Sequence, residues 1–399
     1  MAERQKKILV YAQEAGGGNI AAIVAQDLLS SGRYNLDIIA HLQGADSFKE
    51  RGISYRLLED FGFSLPLEEQ DAVSLLQELK ADYLFGAFGN IKLDKSNGSI
   101  FKAAKRLNIK SMSMLDCWKG WDRFDNGHQR FAYAPDILIV IDEYSKKKMI
   151  EEGFPEQRIL IGGHPVLDEI REFFVDGKAN NRRTALRQKY GIKQDEYLVV
   201  FASQMINHRS GRDDRRESYY SIDTQKGKVI DRLLSALQKT LMIPGKSFVL
   251  MLRLHPKEDL PDSILSNYSR VRLITDKNIP RLDLYEIADC VIGYDTMMLA
   301  EAANAGCLVV SVQFPEIEYI PERNLVELAG KAIYTAHNEI EFSEILKNNL
   351  AYERQPSAPL SDEISTERQK KNSYLEILFN EFPALQVLNK NDLSSLSIG

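Results

Sequence analysis

Apolar runs of strand length alternate with amphipathic helical stretches along nearly the whole of this chain, and that alternation points to parallel α/β architecture. The first series of strand-like runs is Lys7–Ala12, Asn35–Ala40, Tyr83–Ala87, Ser111–Leu115, Ile137–Ile141 and Arg158–Ile161. Helical patterns at Asn19–Ser31, Gly98–Leu107 and Glu143–Glu152 stand among them. The charged stretch Phe174–Arg183 then breaks the pattern and reads as a linker or an exposed helix end. A second series runs through the strands Tyr197–Ala202, Phe248–Leu252, Val271–Ile274, Cys290–Gly293 and Leu308–Val312, with a helix over Gly227–Lys239. A polar stretch with prolines, Gln355–Asp362, precedes an amphipathic helix at Glu367–Asn380 and a polar tail. A length of 399 residues exceeds one ordinary core, so two domains are expected. They are placed at 1–168 and 191–355, with a linker at 169–190. The segment 356–399 is a C-terminal helix and tail packing back toward the first domain.

Composition sets the outer limits. Hydrophobic residues at 44% and charged residues at 27% describe a soluble globular chain. A net charge of −6 argues against a nucleic-acid surface. The longest apolar runs are strand-sized, well short of a membrane span, and the basic N-terminus passes directly into a strand rather than a signal sequence. A cytoplasmic protein is expected, with peripheral contact at the inner face of a membrane left open by the basic helix face Lys146–Lys148, and a homodimer left open as well. Cys117, Cys290 and Cys307 are odd in number and lack metal-ligand spacing, so neither a disulfide nor a metal site is expected.

The run Ala288–Gly306 (ADCVIGYDTMMLAEAANAG) reads as a buried strand, a tight polar turn and a helix of small residues. A strand feeding a helix N-terminus gathers unpaired N–H groups and a positive dipole end, which suits a phosphate. Thr296 stands at that helix start. Asp295 beside it is either a helix cap or a donor contact, and Glu301 lies beyond the first turn within reach of a sugar hydroxyl. Upstream, Arg253–Leu254–His255–Pro256 ends another strand. The His255 imidazole suits a departing phosphate, with Arg253 as its support or as a surface ion-pair partner. Gln204, Asn207, His208 and Arg209 follow the first strand of the second series, and Asp213–Asp214 lies in a mixed-charge loop unsuited to a metal. In the first series, Gly16, Gly17 and Gly18 read as a loop that lets backbone approach a ligand, or as a plain strand–helix turn. Glu14 precedes them. Asp116 ends a strand in LDCWKGWDRF, where Trp118 and Trp121 suit either a sugar face or a hydrophobic plug, and Arg123 suits an acceptor carboxylate or phosphate.

Three segments resemble the GT-B glycosyltransferase superfamily: the Gly-rich stretch Glu14–Asn19, the segment Gly163–Asp168 (GHPVLD) and the segment Ile287–Gly306. GHPVLD is similar to the inter-domain connection of lipid-A-disaccharide synthase-like enzymes. Ile287–Gly306 is similar to the donor-binding strand–turn–helix of that superfamily and of UDP-N-acetylglucosamine 2-epimerases. Arg253–Pro256 resembles the His-Pro motif of bacterial transferases that use CMP-sugars. The resemblance implies two Rossmann-like domains with parallel sheets facing across a cleft. It implies a metal-independent glycosyltransferase without a cofactor, moving a sugar from a CMP- or UDP-linked donor to a hydroxyl of a glycan or lipid-linked acceptor in bacterial surface polysaccharide or glycoconjugate synthesis. Glu14 or Asp116 is then the base and His255 the leaving-phosphate partner. Gly17, Gly18, Gln204, His208, Arg209, Arg253, Asp295, Thr296 and Glu301 fall on the donor, and Trp118, Trp121 and Arg123 on the acceptor. The alternative implied is a 2-epimerase sharing the donor site, and beyond it a degenerate glycan-binding module. The sequence departs from the patterns at three points. Asp295–Thr296 stands where the CMP-sugar enzymes carry a Ser-Ser or Ser-Thr pair, and both the acidic-Gly pattern after the fourth or fifth strand and the Ser-Gly-Gly turn of the epimerases are missing, although Asn207–Arg209 resembles their His-Arg element.

Overall fold

The computed structural model describes residues 4–88, 95–118, 121–126, 128–175, 182–203, 206–207, 216–217, 237, 247–254, 272–276, 278–294, 296–314, 333–350 and 373–384. The chain divides into two compact units. Unit 1 joins Met1–Asp168 to Arg368–Gly399, and unit 2 is Glu169–Glu367.

Unit 1 is built on a six-stranded parallel sheet in the order β2-β1-β3-β4-β5-β6. Its strands are β1 (Lys7–Ala12), β2 (Asn35–Ala40), β3 (Tyr83–Ala87), β4 (Lys110–Met114), β5 (Ile137–Val140) and β6 (Ile159–Ile161). Apart from edge residues these strands are buried, as expected where helices cover both faces of a parallel sheet. The helices are α1 (Ala15–Ser31), α2 (Leu42–Glu50), α3 (Glu69–Leu79), α4 (Ser96–Arg106) and α5 (Glu143–Glu151), with α6 (Pro165–Val175) leading onward. α3 turns Ala72, Val73, Leu75, Leu76 and Leu79 inward at helical spacing. The C-terminal helix (Ser373–Ala384, here α11) belongs to this unit: Phe382 stacks on Tyr83 with ring centroids 4.6 Å apart, and Phe379 stacks on Tyr34.

Unit 2 has its own six-stranded parallel sheet, ordered β11-β10-β7-β12-β13-β14, beside a two-residue antiparallel pair, β8 (Ile206–Asn207) and β9 (Arg216–Glu217). The sheet strands are β7 (Glu196–Ala202), β10 (Ser247–Arg253), β11 (Arg272–Asp276), β12 (Cys290–Gly293), β13 (Leu308–Val312) and β14 (Ile333–Ala336). Val199, Phe201, Leu250, Leu252, Ile292, Val310 and Phe342 form its core. Helices α7 (Arg183–Lys189), α8 (Arg281–Ile287), α9 (Met297–Asn304) and α10 (Glu339–Leu350) complete the described part. Counted within the unit, this is the strand order 3-2-1-4-5-6, and unit 1 reads 2-1-3-4-5-6. Both orders reverse direction once, between β1 and β3 in unit 1 and between β7 and β12 in unit 2.

Two sequence expectations change. Helix α1 begins at Ala15, so the three glycines form its first turn rather than a loop. The stretch expected as a linker holds α6 and α7. Helix α7 is anchored by arginines: Arg187, 2% exposed, donates to the carbonyls of Ile287, Lys193 and Glu196 and to the Asp289 carboxylate, and Arg183 also pairs with Asp289. The helix expected at Gly227–Lys239 lies outside the described residues except for Leu237, which is helical and buried.

Candidate functional site

In open parallel sheets, ligands bind beyond the carboxyl ends of the strands where the order reverses. In unit 1 that point brings together Gln13 and Glu14, which follow β1, with Phe88, which follows β3. Helix α1 starts there, capped by Glu14 in extended conformation (φ −99°, ψ 159°) without a side-chain capping bond. Its glycines serve close packing. A Cβ on Gly18 would stand 2.5 Å from the Gly44 Cα, and one on Gly17 2.8 Å from the Ala87 Cβ. Gly17 and Gly18 therefore hold the turn against α2 and β3, and no approach to a ligand is needed to explain them. Gly16 has a different neighbour: a Cβ there would meet the Asp116 carboxylate at 2.4 Å, so that carboxylate lies against the first turn of α1.

Asp116 is engaged on every side. Arg123 Nη1 donates to its Oδ1 at 2.6 Å and Arg123 Nη2 donates to Cys117 Sγ at 3.1 Å. The His164 ring bonds to the Asp116 carbonyl through Nε2 at 3.1 Å, and Leu167 N–H approaches its Nδ1 at 3.4 Å. That assigns the ring proton to Nε2, which donates to the Asp116 carbonyl. The Gly-His-Pro turn thus locks the strand-end acid to the start of α6, helped by Gly163 at φ +81°. Burial alone would raise the Asp116 pKa, but the Arg123 guanidinium, with a smaller contribution from the Cys117 hydrogen bond, holds it below the ordinary carboxylate range. The same pair pushes Arg123 upward. Asp116 is therefore a carboxylate committed to an ion pair with Arg123.

Of the two readings open for the tryptophans, their burial fits the hydrophobic plug. Trp118 and Trp121 are each 8% exposed. Trp121 belongs to the hydrophobic core and meets Tyr144 edge-on, and Trp118 Nε1 donates to Asp142 Oδ2 at 2.8 Å. Asp142 in turn caps α5 through Ser145 N–H. Arg123 is committed to Asp116. These three side chains are structural parts of unit 1.

In unit 2 the reversal lies between β7 and β12. Thr296 caps α9, its hydroxyl accepting from Met298 N–H at 3.4 Å, and Gly293 packs its Cα against Thr296, the Ala202 carbonyl and Leu299. Ser203, directly after β7, is buried and its Oγ has no hydrogen-bond partner; sequence reasoning passed over it. Glu301 is buried on α9 and turned toward α8. Tyr285 OH donates to its Oε2 at 2.7 Å and Arg281 Nε lies 3.7 Å away. Burial, reinforced by the Glu301 charge, drives the Tyr285 pKa far up, so Tyr285 stays a donor. A sugar hydroxyl reaching Glu301 competes with this bond, which corrects the picture of an open carboxylate. Arg253 pairs with Asp276 at the end of β11, which settles its partner. His255, Gln204, His208, Arg209 and Asp295 lie outside the described residues. Among the described residues, no group of three or more His, Cys, Asp or Glu side chains is placed to hold a metal ion, and no helix is long and apolar enough to cross a membrane.

No protein-family model matches the chain, and no curated protein matches it in sequence. Solved structures match it in fold. The UDP-GlcNAc 2-epimerase of Neisseria meningitidis, bound to UDP-GlcNAc, aligns over 92% of this chain and 100% of its own, with a TM-score of 0.61 and 15% identity. The UDP-GlcNAc 2-epimerase of Methanocaldococcus jannaschii, in complex with UDP-GlcNAc and UDP, covers 94% and 99% with a TM-score of 0.58 and 14% identity. The S. aureus MnaA–UDP structure covers 94% and 97% with a TM-score of 0.63 and 14% identity. The chain is thus similar along nearly its whole length to UDP-GlcNAc 2-epimerases, and has their α/β fold of the GT-B type with two parallel sheets.

Proposed function

We propose that this chain is an enzyme that binds a UDP-linked N-acetylhexosamine and inverts it at C2, without a second sugar acceptor. The observation that carries this reading is the commitment of Trp118, Trp121 and Arg123. The side chains that suited an acceptor are core and ion-pair residues, so the transferase reading loses its acceptor-side residues while the nucleotide side keeps its support. The ligands in the similar structures, UDP-GlcNAc and UDP, supply the donor class.

In unit 2, the N-terminus of α9, Thr296 and the buried Ser203 hydroxyl suit the diphosphate, with N–H groups and the dipole offsetting its charge. In unit 1, the acids are Glu14 and Asp116. Asp116 is committed to its ion pair with Arg123, so the proton acceptor in this reading is Glu14. The C2–H bond breaks with its proton passing to Glu14. Its electron pair forms C1=C2, and the C1–O bond breaks with its pair leaving on UDP. Return of UDP to C1 and of a proton to the opposite face of C2 completes the inversion.

The test is UDP-GlcNAc incubated with the protein in deuterium oxide, with no acceptor, followed by NMR. Appearance of the C2 epimer carrying one deuterium at C2 is the expected result. Unchanged UDP-GlcNAc, together with sugar transfer once hydroxyl acceptors are added, would restore the glycosyltransferase reading.

A further inference from the structure

A helix of about twelve residues is marginal by itself in water, because too few hydrogen bonds follow its costly first turn. The C-terminal helix α11 (Ser373–Ala384) is that short, so it owes its shape to what it lies on. Tyr374, Leu375, Leu378 and Phe382 are buried at the spacing of one helix face. That face crosses unit 1, packing on α1 and β6. Its two ends rest on opposite edges of the sheet. At the amino edge, Phe382 stacks on Tyr83 at the start of β3, and Phe379 stacks on Tyr34 just before β2. The Arg33 guanidinium lies over the Phe379 ring, 4.2 Å from its centroid. About 12 Å back along the helix, Tyr374 reaches Gly162, which follows β6 at the carboxyl edge.

At this end α11 meets two elements that also meet at Asp116. A Cβ on Gly162 would stand 3.2 Å from the Tyr374 Cβ and 3.4 Å from its Cα, so glycine is what lets the α11 backbone come close to the turn after β6. The Tyr374 hydroxyl donates to the Asp27 carboxylate on α1. The turn continues through Gly163 to His164, whose ring bonds to the Asp116 carbonyl, and α1 begins with the turn against which the Asp116 carboxylate lies. Tyr374 thus ties together the two elements that hold the strand-end acid.

We propose that α11 is a two-state clamp on unit 1. Docked, it is helical and fixes the turn 162–164; released, it unwinds as a whole and leaves that turn with its own bonds alone. Loosening at the Phe382 end therefore reaches the anchor of Asp116 at the other edge of the sheet, because a helix this short does not persist half-docked. The clamp acts within unit 1 and does not depend on which substrate the chain takes. It gives the carboxyl edge of this unit an element that switches the order of the turn on and off.

Amide hydrogen exchange of the full chain, read by mass spectrometry, tests this. The segments to follow are 374–384 and 162–168; in the second, Gly162 N–H donates to the Val140 carbonyl and Asp168 N–H to that of His164. Phe382→Ala removes a ring at the amino edge only. It is expected to speed exchange by roughly a hundredfold or more in both segments, the factor that follows from losing a buried phenyl ring. Tyr374→Phe keeps its ring and loses one hydrogen bond, so it is the milder variant and should speed the same two segments about fivefold. In each variant the two segments are expected to share one rate, faster than that of β1. Fast exchange confined to 374–384, with 162–168 at its wild-type rate, overturns the clamp. Exchange of 162–168 at the rate of β1 rather than that of α11 shows that the unit opens only as a whole, and also overturns it.

Discussion

The two edges of the parallel sheets differ in how many of their buried polar atoms find partners. At the amino edge, acids just before a strand or at its start are fully paired. Asp82 accepts from Lys7 N–H at 2.8 Å and from Arg4, Asp136 accepts from Ser111 N–H at 2.8 Å, and Asp289 accepts from Leu198 N–H at 2.8 Å and from two arginines. Each ties the start of its own strand to the start of a neighbour. At the carboxyl edge, Gln13, Gln43, Asn97, Ser113 and Ser203 bury polar atoms with no partner. The contrast is one of degree: the carboxyl edge also holds paired groups, Asp116 with Arg123 and Arg253 with Asp276, and the amino edge has an unpartnered atom in Arg187 Nε.

The largest expected effect tests the amino edge. Asp289→Ala leaves the buried Arg187 guanidinium without its carboxylate and is expected to cost about 3–5 kcal/mol in urea denaturation. The remaining folded protein should bind UDP as before. A loss of UDP affinity in the folded fraction would break the contrast between the edges. Gly18→Ala is next, at about 1–3 kcal/mol, because the added methyl meets the Gly44 backbone rather than a side chain that can move. If it is neutral, the glycines of α1 are not packing residues and their ligand role returns. Thr296→Val should remove a cap worth about 1 kcal/mol of stability and weaken UDP binding besides. A stability loss alone would make Thr296 as purely structural as the acids of the opposite edge.

The smallest effect is in pH dependence. Burial would raise Asp82, but Lys7 N–H, Arg4 and Lys6 together hold its pKa below the ordinary carboxylate value of 3.8. A carboxylate depressed in the folded state contributes its full stabilisation above its unfolded pKa and loses it as pH falls through the folded value. Unit 1 should therefore be insensitive to Asp82 between pH 7 and about 5, and lose stability below the unfolded value. Asp82→Asn should flatten part of that acid slope in thermal melts recorded from pH 5 to pH 2. An unchanged slope would show that Asp82 is not coupled to folding.

Much of the framework was legible in the residues. Runs such as Lys7–Ala12 and Cys290–Gly293 are apolar, short and bounded by polar turns, and each is a strand with those limits. The start of α1 was not legible, because glycine disfavours helix interiors and only the proximity of Gly44 and Ala87 explains why side chains are excluded there. The tryptophans left two readings open for a similar reason: among charged neighbours they suited a sugar face or a hydrophobic plug, and the partner of Trp118, Asp142, lies 24 residues away in sequence. The acids at the amino edge follow a readable pattern, Asp82, Asp136 and Asp289 each preceding a strand after alanine or proline. The orphaned amides have no such signature. The pairing of Asn97 with Gln13, 84 residues apart, and the atoms it leaves over, exist only once the sheet has brought β1 beside β3.

The return of α11 to unit 1 imposes an order on biosynthesis. Tyr34 and Tyr83 are made early, but the aromatic rings that stack on them, Phe379 and Phe382, are made only after all of unit 2. At typical elongation rates the delay between Asp168 and Ser373 is roughly 10–40 s. Throughout that time the nascent N-terminal unit presents two tyrosines to the surroundings, and the ribosome completes unit 2 beside a partner that is still unfinished. A chain stopped before residue 373 would carry that exposed aromatic surface permanently, a ready mark for chaperones and proteases.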